Sequence, residues 1–207
     1  MMLVLATQNK NKIKEMTGLL GAVPWRAVDS SWSAAETAES LIGNALLKAA
    51  AARSQCQGNE ISLADDTGLF VGALGGAPGV ISARYAGANV AFEENIKKLL
   101  AEMKNLGPKE RGAVFITVTA LAYPDGRLVA GCGRIEGEIL REPEGAGGFG
   151  YDPIFFCPAL GKTLAQLTLE EKNSFSHRAQ AVKTILPYIK QEEPRTASAG
   201  KIFNKGG

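Results

Sequence analysis

A change of hydrophobic period part-way along the chain constrains its fold more than any other feature. The apolar run Met2–Ala6 is followed by the polar segment Thr7–Lys12, after which Ile13, Met16, Leu19 and Leu20 recur at helical spacing. Residues 22–37 contain Pro24 and both tryptophans and predict a strand followed by a loop. Leu41, Ala45, Leu46 and Ala49 predict a second helix over Ser40–Arg53, and Ile61–Ala64 predicts a strand ending at Asp65-Asp66-Thr67-Gly68. Strands alternating with helices are the pattern of parallel units. Phe92, Ile96, Leu99, Leu100 and Met103 then stripe a third helix, with Glu93→Lys97 and Glu94→Lys98 as i,i+4 pairs. After it the period changes. Ala113–Tyr123 is β-rich, Pro124-Asp125-Gly126 turns it into a strand at Leu128–Gly131, and a third follows around Ile135–Leu140. These predict an antiparallel meander. Ala179, Val182, Ile185, Leu186 and Ile189 mark a final helix, and residues 192–207 form a polar tail expected to be mobile. The expectation is a mixed α/β fold, with one domain over residues 1–191.

Composition narrows the function classes. The 207 residues carry 23 Lys+Arg against 21 Asp+Glu, so the broad basic surface of a duplex-DNA binder is absent and no nucleic-acid partner is expected. A single histidine excludes a multi-His metal site. Cys56, Cys132 and Cys157 are odd in number and far apart, which argues for a reducing, cytoplasmic setting. No apolar run approaches the ~18 residues of a membrane span, and MMLVLATQNK lacks the charged start of a signal peptide. Glycine is the anomaly, at 24 residues, with five in 68–79 and four in 145–150. Such clusters let backbone come close to backbone or to a ligand.

Four segments carry chemistry. Thr7-Gln8-Asn9-Lys10-Asn11-Lys12 places hydroxyl, amide and ammonium groups where a strand gives way to a helix, a position that favours anions. A solvated helix start capped by Asn9 accounts for that segment equally well when it is taken alone. Asp65 and Asp66 crowd two carboxylates at a predicted strand end, which asks for a neutralising cation or for one acid to act as a base. Gly145–Pro153 presents Phe149 between glycines, suited to stacking on a planar ligand or, alternatively, to plugging the core. In Lys172–Arg178, Ser176 is placed to cap the last helix, leaving His177 and Arg178 in its first turn. Cations there oppose the helix dipole, which suggests a compensating anionic or carbonyl-bearing ligand. Glu36, Glu39 and Asn44 are further candidates for a metal site or a solvated helix face. Arg84, after the Pro78-Gly79 turn, is either a structural ion-pair former or a pocket residue.

ATQNKNKIKE at 6–15, NALLKA at 44–49, ADDTGLFVGALGGAPGVISARYAG at 64–87, GGFGYDPIFF at 147–156 and EKNSFSHRAQA at 171–181 together resemble the inosine triphosphate pyrophosphatase family, over roughly residues 2–190. The resemblance implies an elongated, two-lobed fold. In it a long mixed sheet flanked by helices carries an antiparallel second lobe, with the active site in the cleft between lobes. It implies Mg²⁺-dependent hydrolysis of ITP, dITP and XTP to monophosphate and pyrophosphate, by a homodimer. Thr7, Asn9 and Lys12 would hold the triphosphate with Lys172 assisting, and Gln8, Lys10, Asn11 and Thr67 would also bind substrate. Asp66 would be the general base and a metal ligand, with Asp65 and Glu36 as further ligands. Phe149 would stack on the purine, and Gly150, Tyr151, Asp152, His177 and Arg178 would line the base pocket. Gly43 and the stretch Thr37–Ser40 depart from the family pattern. A pyrophosphatase for another modified base and a non-catalytic nucleotide binder are the competing readings.

Overall fold

A computed structural model describes residues 2–190; the predicted tail at 192–207 lies outside the described residues. One mixed sheet organises the chain. Its strands are β1 (Leu3–Leu5), β2 (Trp25–Ala27), β3 (Ile61–Val71), β4 (Pro78–Gly79), β5 (Gly112–Ala122), β6 (Leu128–Ile139), β7 (Phe155–Cys157) and β8 (Lys162–Thr163). The order is β2-β1-β3-β5-β6-β7-β8, with β4 added to β3. β1 runs parallel to β2 and β3, and every later pairing is antiparallel. The mixed α/β class and the change from parallel to antiparallel pairing follow the expected order, but the two parts share one sheet.

Two strands are longer than their sequence suggests. β3 does not stop before the acidic pair; it runs through it, paired with β5 from Ser62↔Ala122 to Val71↔Ala113. The partner strand supplies hydrogen bonds that two acids and a glycine cannot attract by propensity alone. Likewise Leu128–Gly131 and Ile135–Leu140 are parts of a single strand, β6, paired continuously with β5.

The helices are α1 (Lys10–Leu20), α2 (Leu41–Ala51), α3 (Phe92–Glu102), α4 (Leu169–Phe175) and α5 (His177–Lys190). Asn9 caps α1 by accepting from the Asn11 and Lys12 N–H groups, at 2.9 and 3.3 Å. Ser40 caps α2, and Thr168 with Glu171 forms a capping box on α4. Ser176 caps α5 as expected, accepting from Ala179 N at 3.2 Å. On α3 the partners differ from the expected Glu93→Lys97 and Glu94→Lys98: Lys97 meets Glu94 at 2.7 Å, and Lys98 donates to the Tyr85 carbonyl at 2.8 Å and lies 4.0 Å from Glu102.

Alternation along the strands divides the core. Ile61 and Leu63 of β3 join Leu121 of β5 under α1 and α5, while Leu69 and Val71 join Phe115 under α3. Between these two apolar groups, on the same face, lie Asp65, Thr67, Thr117 and Thr119. Ala64 and Ala120 pack beneath α2 on the opposite face. Close packing of α5 depends on glycine in β6. A Cβ on Gly133 would run into the His177 carbonyl, and one on Gly131 into the Thr184 hydroxyl. That contact fixes the height at which His177 and Arg178 leave the helix.

Candidate active site

β1 pairs with β3 only as far as Leu5↔Leu63, and β4 rejoins that edge at Leu69↔Gly79. The stretch between is an edge with no strand beside it among the described residues, at the carboxyl end of β1, and a pocket opens there. Its wall includes Asn9 and Lys12 from the start of α1, Glu36 from the loop before α2, and Asp66 and Thr67 from β3. Phe149, Gly150, Tyr151 and Asp152, then Lys172, His177 and Arg178, complete the far side. Segments distant in sequence therefore meet in one cavity.

The adjacent aspartates face different surroundings. Asp65 receives Lys12 Nζ at 3.0 Å and the Arg178 guanidinium at 3.1 and 3.0 Å. Burial alone would raise its pKa, but Lys12, Arg178 and Lys48 together hold it well below the usual carboxylate range. It is absent from the pocket wall. Asp66 points to the α2 face, where Lys48 Nζ lies at 2.8 Å and Asn44 Nδ2 at 3.4 Å. Burial pushes its pKa up, and Lys48 offsets this only in part. Lys48 also reaches Glu36 at 2.8 Å, so one ammonium gathers two pocket carboxylates.

At the other end Lys172 lies 2.7 Å from Glu15 and 2.5 Å from Asp152, and Arg178 also pairs with Glu15. Lys172 on α4 and Arg178 at the start of α5 are thus compensated by carboxylates of the protein itself, so the ligand that the dipole argument asked for is not required. Asp152 also accepts from Phe149 N at 2.7 Å, and its pKa is raised by burial despite Lys172. Gly148, at φ 68°, allows this approach, since a Cβ there would collide with the Asp152 carboxylate. The half-buried Phe149 ring lies 5.0 Å from Lys172 Nζ and 5.6 Å from the Arg178 guanidinium. The Tyr151 hydroxyl donates to the Ser82 carbonyl at 2.9 Å. His177 stacks on Phe115 with ring centroids 4.6 Å apart. Burial, then Arg178 and Lys172, drives its pKa well below the usual value and keeps the ring neutral. Its Nδ1 is buried without a hydrogen-bond partner among the described residues.

The opening polar segment is divided. Asn9 and Lys12 line the pocket, whereas Thr7 accepts from Asn9 N and Gln8 Nε2 donates to the Asp29, Ser30 and Trp32 carbonyls at 3.0, 2.7 and 2.6 Å. Lys10 and Asn11 are exposed, Asn11 on a neighbouring recess behind Phe149. Glu39 is exposed and outside the pocket wall. Two central residues escape a sequence reading, Lys48 and Glu15. Lys48 shares a helix face with Asn44 at i,i+4 in an alanine-rich helix, and that spacing is the signal that could have found it. Glu15 precedes the buried Met16 on α1, and nothing in its local pattern distinguishes it.

Among described residues no group of three or more His, Cys, Asp or Glu side chains is arranged to hold a metal ion. Glu36 and Asp66 are the pocket carboxylates that lie together about Lys48, a pair of oxygen donors that suits a hard cation completing its shell with phosphate oxygens and water. No helix of the described residues is long and apolar enough to cross a membrane.

Comparison with known proteins agrees over nearly the whole chain. A dITP/XTP pyrophosphatase of Yersinia pseudotuberculosis is 45% identical over 194 residues, covering 91% of this chain and 98% of the relative. Another dITP/XTP pyrophosphatase, from Thermus thermophilus, is 44% identical over 94% of each chain. The solved structure of the Staphylococcus aureus Ham1 protein superposes with a TM-score of 0.80 at 37% identity, covering 93% of this chain and 100% of that one. With the Ham1 family profile matching residues 3–188 as well, the chain belongs to the Ham1 family.

Proposed function

We propose that this chain is a nucleoside triphosphate pyrophosphatase that hydrolyses ITP, dITP and XTP to the monophosphate and pyrophosphate, with Mg²⁺. One observation carries the reading: Asp66 and Glu36, which share Lys48, and the Phe149–His177–Arg178 group line a single pocket. A base held at one end therefore presents its phosphates to the acid at the other. The names of the relatives support the same reaction class.

In this mechanism Asp66 takes a proton from a water molecule as the water oxygen bonds to the α-phosphorus. The bond from that phosphorus to the oxygen bridging to the β-phosphate breaks, and pyrophosphate leaves. A carboxyl raised by burial is a better proton acceptor near neutral pH than an ordinary aspartate. Lys48 holds it in place, and Lys12 and Asn9 face the phosphates. Glu36 and Asp66 would hold Mg²⁺; when bound, the ion supplies charge neutralisation for the triphosphate.

The purine stacks on Phe149. His177 Nδ1 lacks a partner, and a 6-oxo purine edge provides one. Arg178 gives four of its hydrogen bonds to Glu15, Asp65 and Thr67, and the N–H that is left can only donate, which disfavours the amino group of adenine. A homodimer and a cytoplasmic location complete the proposal. They rest on the family resemblance and on three cysteines, all free. The test compares ITP, XTP, GTP, ATP and dUTP with Mg²⁺, measuring pyrophosphate and orthophosphate separately. Fast pyrophosphate release from ITP and XTP is expected; equal rates for ITP and ATP would refute the selectivity, and orthophosphate as first product would refute α–β cleavage.

A further inference from the structure

Four cations at or beside the pocket are already committed. Lys12, Lys48, Lys172 and Arg178 have side chains at most 18% exposed, and each lies within 3.0 Å of a carboxylate. Diverting Lys48 or Lys172 would leave buried Asp66 or Asp152 without its cation, and diverting Lys12 or Arg178 would leave fully buried Asp65 with one cation in place of two, a costly exchange. Arg84 differs. Its side chain is 41% exposed, and its one ion pair among the described residues is with Glu36 Oε2 at 3.3 Å.

The backbone carrying Arg84 is held firmly. Asn95 accepts from Ala86 N at 2.7 Å and donates to the Ala83 carbonyl at 3.3 Å, and Tyr151 holds the Ser82 carbonyl. Val80, Ser82 and Ala83 on this segment line the pocket, as does Glu36. The result is a fixed base bearing a solvent-facing guanidinium at the rim beside the acidic end.

We infer that Arg84 is a binding residue for the leaving pyrophosphate portion of the substrate, exchanging its contact with Glu36 for the terminal phosphate oxygens. This rests on the proposed triphosphate reaction. The planar fork of arginine matches a phosphate bidentately, and the exchange strips no carboxylate of its only partner, because Glu36 keeps Lys48. Glu36 serves as the resting partner, holding the guanidinium near the rim before substrate arrives.

The test is calorimetric binding of inorganic pyrophosphate and of IMP to the full chain in EDTA, for wild type, Arg84→Ala and Arg84→Lys, with ITP turnover recorded separately. Arg84→Ala is expected to weaken pyrophosphate binding by about tenfold or more and to leave IMP binding unchanged. Arg84→Lys, which keeps the charge without the fork, falls between. Pyrophosphate binding that is undetectable in wild type or unchanged in Arg84→Ala overturns the assignment, as does an equal loss for both ligands, which would mark a structural role. Arg84-dependent pyrophosphate binding in a wild-type chain that does not turn over ITP would sink the reaction while supporting this site.

Discussion

Asp65 and Asp66 are consecutive in β3 yet serve opposite faces of the sheet: Asp65 binds Lys12 and Arg178, and Asp66 binds Lys48. A strand sends successive side chains to opposite faces, so the pair never shares one ligand shell. Asp65 ties the first and last helices together. Asp66 is left for the pocket.

The two asparagine variants should therefore fail differently. Asp66→Asn keeps the shape and loses the proton acceptor, so kcat for ITP should fall by roughly 10²–10⁴ with little change in stability. Asp65→Asn leaves Arg178 and Lys12 undercompensated and should cost on the order of 3 kcal/mol. Pyrophosphate release and urea denaturation on both variants check this; the reverse pattern would exchange the roles.

Stability should fall as pH drops below about 6.5, and His177 should be the cause. Its folded pKa is well below the usual value, so in that window the unfolded chain binds a proton that the folded chain does not. Stability then rises with pH by up to about 1.4 kcal/mol per unit and levels off above the unfolded value. The raised carboxyls of Asp66 and Asp152 work in the opposite sense, so the difference between wild type and His177→Phe is the informative quantity. Denaturation at pH 5.5, 6.5 and 7.5 should show a slope more positive in wild type than in His177→Phe. Equal slopes would place a charged imidazole in the folded protein.

Phe149→Ala should raise KM for ITP by the worth of one stacked base, about 1–3 kcal/mol or roughly ten- to hundredfold. Competition by inorganic pyrophosphate should be unaffected, since the ring meets only the base. Loss of pyrophosphate competition would show that the loop also holds the phosphates.

Gly133→Ala tests the seat of α5. The added methyl meets the His177 carbonyl, so the helix must lift, at a cost of about 1–3 kcal/mol. Activity on ITP should fall along with stability, because His177 and Arg178 move with the helix. An unchanged midpoint and rate would show that α5 shifts freely.

The sequence by itself determined the order of β1, α1, β2, α2, β3, α3, β5, β6 and α5, the caps at Asn9 and Ser176, and which short segments carry chemistry, because caps, periodicity and clustered polar groups are local properties. It also pointed to Asp66, Phe149, His177 and Arg178 as members of a site. Tertiary structure decided how those segments share the work. Extension of β3 through the acidic pair depends on β5, about fifty residues away, and that extension separates Asp65 from Asp66. The partners of Arg178 are Glu15 and Asp65, and that of Asp66 is Lys48, none of them a neighbour within a helix turn. Charge pairing in a buried site depends on distances across the fold, which helical and strand periods do not encode.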